Sequence, residues 1–454
     1  LRNPYRPLEI LSADQLEAIH VASLELLETM GMDFLDDDAC AVLRRAGADV
    51  APGEQRVRLP RDMVLEAVAR APSEFTLYAR NPAHDVTFGG DRLVFSAVAS
   101  APNCADLDNG RRVGNFHDYC NLLRLAQSLN IVHVLAGYPV EPVDLPPETR
   151  HLDCAHAMLT LTDKVWYAYA LGAYRCADSI DMLGIARGMS HDELHARPGL
   201  FTVINTSSPM RVDGNMLEGL KVMAEAGQAV AVTPFTLAGA MSPITLAGAL
   251  TQQNAEALAV IAYTQILAPG APCLYGGFTS NVDMRSGAPA FGTPEYVRAA
   301  IAGGQLARRY DIPYRSSNVN AANAVDAQAA WESMMSLWAV LTGGANLVMH
   351  GAGWMEGGLV ASFEKMVLDA DMLQMIAEVL RPIEVNDETI GLDVIREVGP
   401  GGHFFASPHT LARYETAFYQ PLISDWRNFE AWSEAGSPTA LDRANVVWKQ
   451  LLEE

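Results

Sequence analysis

Apolar residues change their spacing near residue 90 of this chain. Up to that point helical and alternating patterns are mixed. Ser12 stands before DQLEAIHVASLELLETMG, whose apolar positions recur at helical spacing until Gly31. Gln15 lies three residues after Ser12, the arrangement of a capping box. A second short helix, DDDACAVLRRAG, ends at Gly47, and a third runs from Arg61 to Arg70. RVRLP and FTLYAR, on either side of that third helix, read as short strands, and HDVTFGG closes in turn residues. Residues 1–90 are therefore expected to form a mixed α/β cap or oligomerisation segment.

From Asp91 onward, short apolar runs alternate with longer amphipathic stretches, the pattern of βα units around a parallel sheet. Eight runs qualify as strands: LVFSAVA from Leu93, IVHVLAG from Ile131, VWYAYAL from Val165, LFTVINT from Leu200, AVAVTPF from Ala229, APCLYGG from Ala271, IPYRSSN from Ile312 and ANLVMHG from Ala345. Segments such as HDYCNLLRLAQSL, NMLEGLKVMAEAG and YVRAAIAGGQLARRY supply helices between them. Eight alternations over residues 91–380 predict a (β/α)8 barrel, with a doubly wound open sheet as the alternative. Residues 381–454 leave the pattern and are expected to be a C-terminal helical extension packed against the barrel. The uncharged stretch 228–255 is long enough for a membrane span. Pro234 and Pro243 interrupt it, so it reads as a buried strand, a loop and the start of a helix.

Charge and cysteine usage narrow the function classes. A formal charge of −22 argues against a nucleic-acid partner and does not repel a cationic small molecule. Half the residues (50%) are hydrophobic, enough for a large core without disulfides. The cysteines at 40, 104, 120, 154, 176 and 273 form no CxxC pair. They read as reduced, mostly buried thiols of a cytoplasmic protein, with no zinc site. The opening residues lack the apolar stretch of a signal peptide, and no membrane association is expected.

In a barrel of this kind the active site lies at the C-terminal ends of the strands. That rule gives Trp166, Tyr167 and Tyr169; Asn205, Thr206, Ser207, Ser208 and Pro209; Thr233, Phe235 and Met241; Tyr275, Phe278, Thr279 and Asn281; Ser316, Ser317, Asn318 and Asn320; and His350, Trp354 and Glu356. These ends are rich in aromatic and neutral hydrogen-bonding groups and poor in lysine and arginine. GAGWMEGG follows the eighth strand, but Glu356 would oppose a phosphate, and the run is not a GxGxxG. A phosphate-dependent aldolase or isomerase barrel is disfavoured accordingly. Aromatic faces suit a quaternary ammonium, which cannot donate hydrogen bonds; aromatics at strand ends can equally be core. His350 stands among glycines with little room to act as a core filler. His151 and His156 in HLDCAH are five residues apart and do not share a helical face well, so a surface helix explains them.

The C-terminal run GPGGHFFASPHTLARYETAFYQPLISDWRNFEAWSEAGSPTALDRANVVWKQLLEE resembles the end of the trimethylamine methyltransferase-like family. LSADQLEAIHVASLELLETMGM is similar to that family's opening helix. SSNVNAANAVDAQAAWESMMSLWAVLTGGANLVMHGAGWMEGGLVASFEKMVLDADML is similar to its region around strands seven and eight. The resemblance implies a TIM barrel that moves a methyl group from a methylated amine to Co(I) of a cobalamin on a separate corrinoid protein. Archetypal members carry pyrrolysine near the seventh strand tip, where this chain reads SSNVNAAN. The resemblance is therefore to the non-pyrrolysine members, and it implies a quaternary amine, glycine betaine or another betaine, over trimethylamine.

On that reading Tyr167, Phe235, Tyr275, Phe278 and Trp354 are candidates for an ammonium cage. Asn205, Asn318 and His350 would bind a carboxylate or orient the ligand, and Glu356 would balance the cation or bond to His350. No metal is expected to bind the chain directly. Alternatives are a sulfonium or tertiary amine substrate, a pterin acceptor, or a betaine-binding barrel without catalysis. The N- and C-terminal segments are compatible with a homo-oligomer.

Overall fold

The structure, a computed structural model, describes residues 1–453. Seven parallel strands form a curled sheet: β1 (Val94–Ala97), β2 (Trp166–Tyr167), β3 (Leu200–Thr206), β4 (Ala229–Pro234), β5 (Cys273–Gly276), β6 (Tyr314–Ser317) and β7 (Leu347–Ala352). Their spatial order is β1-β7-β6-β5-β4-β3-β2. Each corresponds to one of the apolar runs above. Strands buried on both faces tolerate unbroken runs of apolar and β-branched residues, as AVAVTP in β4 shows.

The run from Ile131 forms no strand of its own, and this corrects the sequence expectation. Val134 alone makes parallel bridges, to Ser96 in β1 and to Val165 just before β2. The His133 ring takes the Phe95 amide at 2.9 Å, a donor the ladder would otherwise use. Gly137 then turns the chain away at φ +136°.

Two apolar layers follow from the period-2 alternation of the strands. The inner one gathers Val94, Val134, Val165, Phe201, Val203, Ala229, Ala231, Leu274, Leu347 and Met349. The outer one packs the opposite strand faces on the helices. Helix Leu246–Leu267 is buried over most of its length because helices Ala13–Thr29 and Arg61–Val68 of the N-terminal segment cover it. Uniform burial is why its sequence is apolar all round. The capping box at Ser12 and Gln15 is present. Strand Met32–Phe34 pairs with Arg211–Val212 beyond β3, tying the N-terminal segment to the sheet.

A four-stranded sheet caps one side of the strand ends, in the order Trp354–Met355, Val360–Ser362, Asn103–Asp106, Gly110–Val113. A smaller one joins Leu237–Ala238, Ser280–Val282 and Pro289–Ala290. The C-terminal segment differs from expectation. Between Arg381 and Gln420 it holds only short helices, and Ser407 is the one buried residue there. Packing resumes beyond it, where helix Ala440–Glu453 lies on helix Phe363–Val379 and Trp448 bonds to Glu364. Among the described residues, no helix is long and apolar enough to cross a membrane.

Candidate active site

A cavity of about 280 Å³ opens at the C-terminal ends of the strands. Aromatic side chains form much of its wall. Phe278 follows β5 and stands 5.1 Å from Phe235 and 5.5 Å from Phe291, centroid to centroid. Trp354 is held by its strand pairing to Ala361 and lies 5.4 Å from Phe291. Tyr167 closes the side at the end of β2. Ala99, Ser100, Ala136, Gly357 and Gly358 complete the lining with small residues.

His350 enters this wall by a local break in β7. The β7–β1 register shifts between Val348 and Ala352, and His350 has φ +56°, an uncommon left-handed conformation. Met349 and His350, neighbours in sequence, thereby both face the cavity. The imidazole stacks on Trp354 at 5.4 Å and 25°. Burial, with the Arg315 charge second, lowers its pKa to about 3, so the ring is neutral at physiological pH. Its Nδ1 has no hydrogen-bond partner.

Arg315 is the residue that the reading of strand ends missed. It points inward from β6, is 3% exposed and lines the cavity. Its guanidinium lies 5.5 Å from the Phe278 ring centroid. Nε and Nη1 have no partner, and no carboxylate stands opposite them. Burial lowers its pKa to about 10, which leaves it charged at neutral pH. A buried cation with idle donors is costly unless a ligand supplies the acceptor. The signal available in the sequence was phase: in IPYRSS, Tyr314 faces the helices, so Arg315 faces the inside. Phe291 was also missed, because it follows a hairpin and not a strand of the main sheet.

The nine residues expected at the site separate into groups. Tyr167, Asn205, Phe235, Phe278, His350 and Trp354 surround the one cavity. Asn318 lies beneath it, donating from Nδ2 to Gly351 O at 3.0 Å, with Oδ1 unpaired. Tyr275 lies elsewhere. Its side chain faces the outer layer, where the hydroxyl donates to Asn254 at 2.9 Å and the ring stacks on Tyr310. The strand alternation that turns Leu274 inward turns Tyr275 outward. Glu356 turns away to pair with Arg111 at 3.1 Å.

Polar groups behind the wall hold its shape. Asn320 Nδ2 donates to Trp354 O at 2.6 Å. Asp369 accepts the Gly353 amide at 2.9 Å and pairs with Lys365, whose ammonium also donates to Ser333 at 2.8 Å. These bonds satisfy the backbone of the turn that carries Trp354. No cluster of metal-ligating side chains occurs among the described residues.

A larger cavity, about 460 Å³, lies at the opposite ends of the strands, among Tyr5, Arg92, Arg308, Tyr314 and Asn346. It has none of the convergent aromatic faces, and that end of such sheets serves stability.

A parallel βα sheet with an aromatic crevice at its strand ends defines an α/β enzyme that grips a small ligand. The chain belongs to the trimethylamine methyltransferase family: the profile described as "Trimethylamine methyltransferase (MTTB)" matches residues 1–454. By that membership it is a methyltransferase. It is 38% identical to the glycine betaine methyltransferase of Desulfitobacterium hafniense strain Y51, over 98% of this chain and 92% of that one. It is 30% identical to the trimethylamine methyltransferase MttB of D. hafniense strain DCB-2, over 97% and 89%. The fold is similar to the crystal structure of the Methanosarcina barkeri monomethylamine methyltransferase (TM-score 0.53, 12% identity), over 97% of this chain and 87% of that one.

Proposed function

We propose that this chain demethylates a zwitterionic quaternary amine, glycine betaine or another betaine, and passes the methyl group to a corrinoid carried by a separate protein. One observation carries the reading: an uncompensated buried guanidinium shares a cavity with a ring of aromatic faces. A plain cation such as choline or protonated trimethylamine would add a second positive charge beside Arg315. A betaine brings a carboxylate for Arg315 and an ammonium for the rings, so both groups are satisfied by one ligand. The relative named glycine betaine methyltransferase supports the same class.

The residues then take these parts. Arg315 binds the carboxylate through one edge of its guanidinium, which no protein carboxylate engages. Phe235, Phe278, Phe291, Trp354 and Tyr167 hold the methylated nitrogen. Neutral His350 and Asn205 orient the ligand without adding charge. Asn318, through Gly351, fixes the turn from below. The reduced corrinoid is a co-substrate that supplies the electron pair for the new bond to carbon. As C–N breaks, that bond's pair stays on nitrogen and a neutral amine leaves. No proton transfer is required, which suits a cavity without an acid–base pair, and the protein's contribution is alignment and exclusion of water. The small lining residues Ala99, Ser100, Ala136, Gly357 and Gly358 leave room for an acceptor at the strand ends. The Val134 bridges to both edge strands support a sheet closed as a (β/α)8 barrel.

Calorimetric titration with glycine betaine, proline betaine, carnitine, choline and trimethylamine tests this. Binding of a betaine together with failure of choline and trimethylamine is expected. Choline binding as tightly as every betaine would overturn the zwitterion reading. Dimethylsulfoniopropionate presents the same two charges and separates sulfur from nitrogen substrates.

A further inference from the structure

A second crevice opens at the same ends of the strands, one aromatic ring away from the cavity. It lies between the end of β2 and the helices Arg150–Leu161 and Ala173–Arg187. Its mouth holds about 100 Å³ and narrows to a recess of about 10 Å³; Tyr138, His151, Tyr169 and Arg175 line both parts. Trp166 stands at the inner end. The alternation that turns Tyr167 into the cavity turns Trp166 toward the helices. Tyr169 is the partition. Its hydroxyl bonds at 2.8 Å to Ser100, which lines the cavity, and accepts the Tyr138 amide at 3.1 Å.

Two buried polar atoms of this crevice have no hydrogen-bond partner, Trp166 Nε1 and His151 Nδ1. Trp166 is 2% exposed and His151 7%, although HLDCAH reads as a surface helix. A buried indole N–H ordinarily finds an acceptor, and leaving it without one is costly. Asp178 fixes the role of His151. Its carboxylate lies 2.7 Å from Nε2 and can only accept, so Nε2 carries the proton and Nδ1 of the neutral ring is an acceptor. The recess therefore presents one idle donor and one idle acceptor. Its charges offset one another: Arg150 pairs with Glu141, and Arg175 stands one helical turn from Asp178. A ligand that suits it is small and neutral, and both accepts and donates. The mouth matches the liquid volume of roughly three waters, room for a primary carboxamide and too little for a sugar or a nucleotide.

We propose that this crevice binds a primary carboxamide, and that the amide is one borne on the rim of the corrinoid acceptor. The carbonyl oxygen, with two lone pairs, takes Trp166 Nε1 and the Arg175 guanidinium, and the amide N–H donates to His151 Nδ1. The first part of the proposal stands on the crevice alone; the second rests on the acceptor proposed above. Corrin rings carry primary amide side chains around their edge. Tyr167 is a wall of both the cavity and the recess, so a macrocycle over one has its rim beside the other. An amide held here fixes how the corrinoid is turned relative to the methyl group. Arg315 and the aromatic rings cannot do this, because they hold the other substrate.

Fluorine NMR of the full chain labelled with 5-fluorotryptophan tests it, with Trp166→Phe assigning the signal. Propionamide should move the Trp166 signal saturably, with a Kd of roughly 10–100 mM for so small a ligand. Propionate and propanol should not. A signal that propionamide leaves in place would overturn the proposal. An equal response to propionate or to propanol would make the crevice an anion or hydroxyl site and overturn the amide. His151→Phe removes the acceptor but keeps a ring, and should weaken propionamide about fivefold; unchanged affinity would also count against the amide. Cobinamide, a corrinoid that keeps its amides, should move the same signal at concentrations at least about 100-fold lower, because the macrocycle adds contact area to the one amide. A response to propionamide without one to cobinamide would strike the corrinoid as its source. Betaine titration of the same sample reports on the other reading. Loss of betaine binding with the propionamide response intact would remove the substrate proposal and leave the crevice standing.

Discussion

Lys365 and Arg315 are both buried cations near the turn that carries Trp354, and their surroundings treat them differently. Lys365 has Asp369 as its counter-ion and Ser333 as an acceptor. Arg315 has a ring face, two idle donors and no carboxylate. The first cation is complete without a ligand, and it serves the backbone through Asp369 and Gly353. The second is incomplete until something enters the cavity. Buried charge marks a binding site when its partner is missing, and marks scaffolding when the partner is present.

The largest expected effect lies on the scaffold side. Lys365→Met leaves Asp369 buried without a counter-ion and should lower unfolding stability by about 3–5 kcal/mol in denaturant titration. Arg315→Met removes an uncompensated charge and should leave stability unchanged or raise it. Equal losses for the two variants would erase the contrast and make Arg315 structural.

Next comes ligand affinity. Arg315→Met should weaken betaine binding about 100-fold in calorimetry, in line with losing a charge-assisted bidentate contact. Arg315→Lys should recover only part of it, because an ammonium lacks the planar fork. Trp354→Leu should cost roughly tenfold, the scale of a desolvated cation–π contact. A trimethylated ligand indifferent to Trp354 but lost with Arg315 would mean that the carboxylate is held and the ammonium is not.

A pH titration isolates His350. Its pKa falls to about 3 in the fold, against about 6.5 for an unperturbed histidine. Between those values the unfolded chain binds the extra proton, so stability rises with pH across that window and is lost as pH falls. His350→Asn should flatten the slope by up to one proton. His133, also lowered to about 3 by burial, keeps its own share.

The sheet was legible because seven of its strands are apolar runs between amphipathic helices. The run from Ile131 failed because a side chain, His133, competes for the ladder. The site was half legible. Strand ends alone picked out six of the residues around the cavity but could not assign phase, and so they took Tyr275 for a lining residue and passed over Arg315. Glu356 was misread for another reason. It ends a turn whose direction is set by contacts far away in sequence, Asn320 to Trp354 O and Arg111 to its own carboxylate. No local pattern encodes those.

Glu356 gives the smallest and most discriminating prediction. Placed after His350 and Trp354, it looks like a counter-charge for a bound cation. The structure pairs it with Arg111 on the flank, and Arg111 is half exposed. Ion pairs of that kind contribute about 0–1 kcal/mol, because water screens them and ordering two side chains costs entropy. Glu356→Gln should therefore shift stability by less than about 1 kcal/mol and leave betaine affinity within about twofold. A tenfold loss of affinity would mean that the carboxylate turns toward the ligand in the bound state. The cavity would then hold its own negative charge, Arg315 would no longer be the uncompensated group, and a plain cation such as choline would become an acceptable substrate.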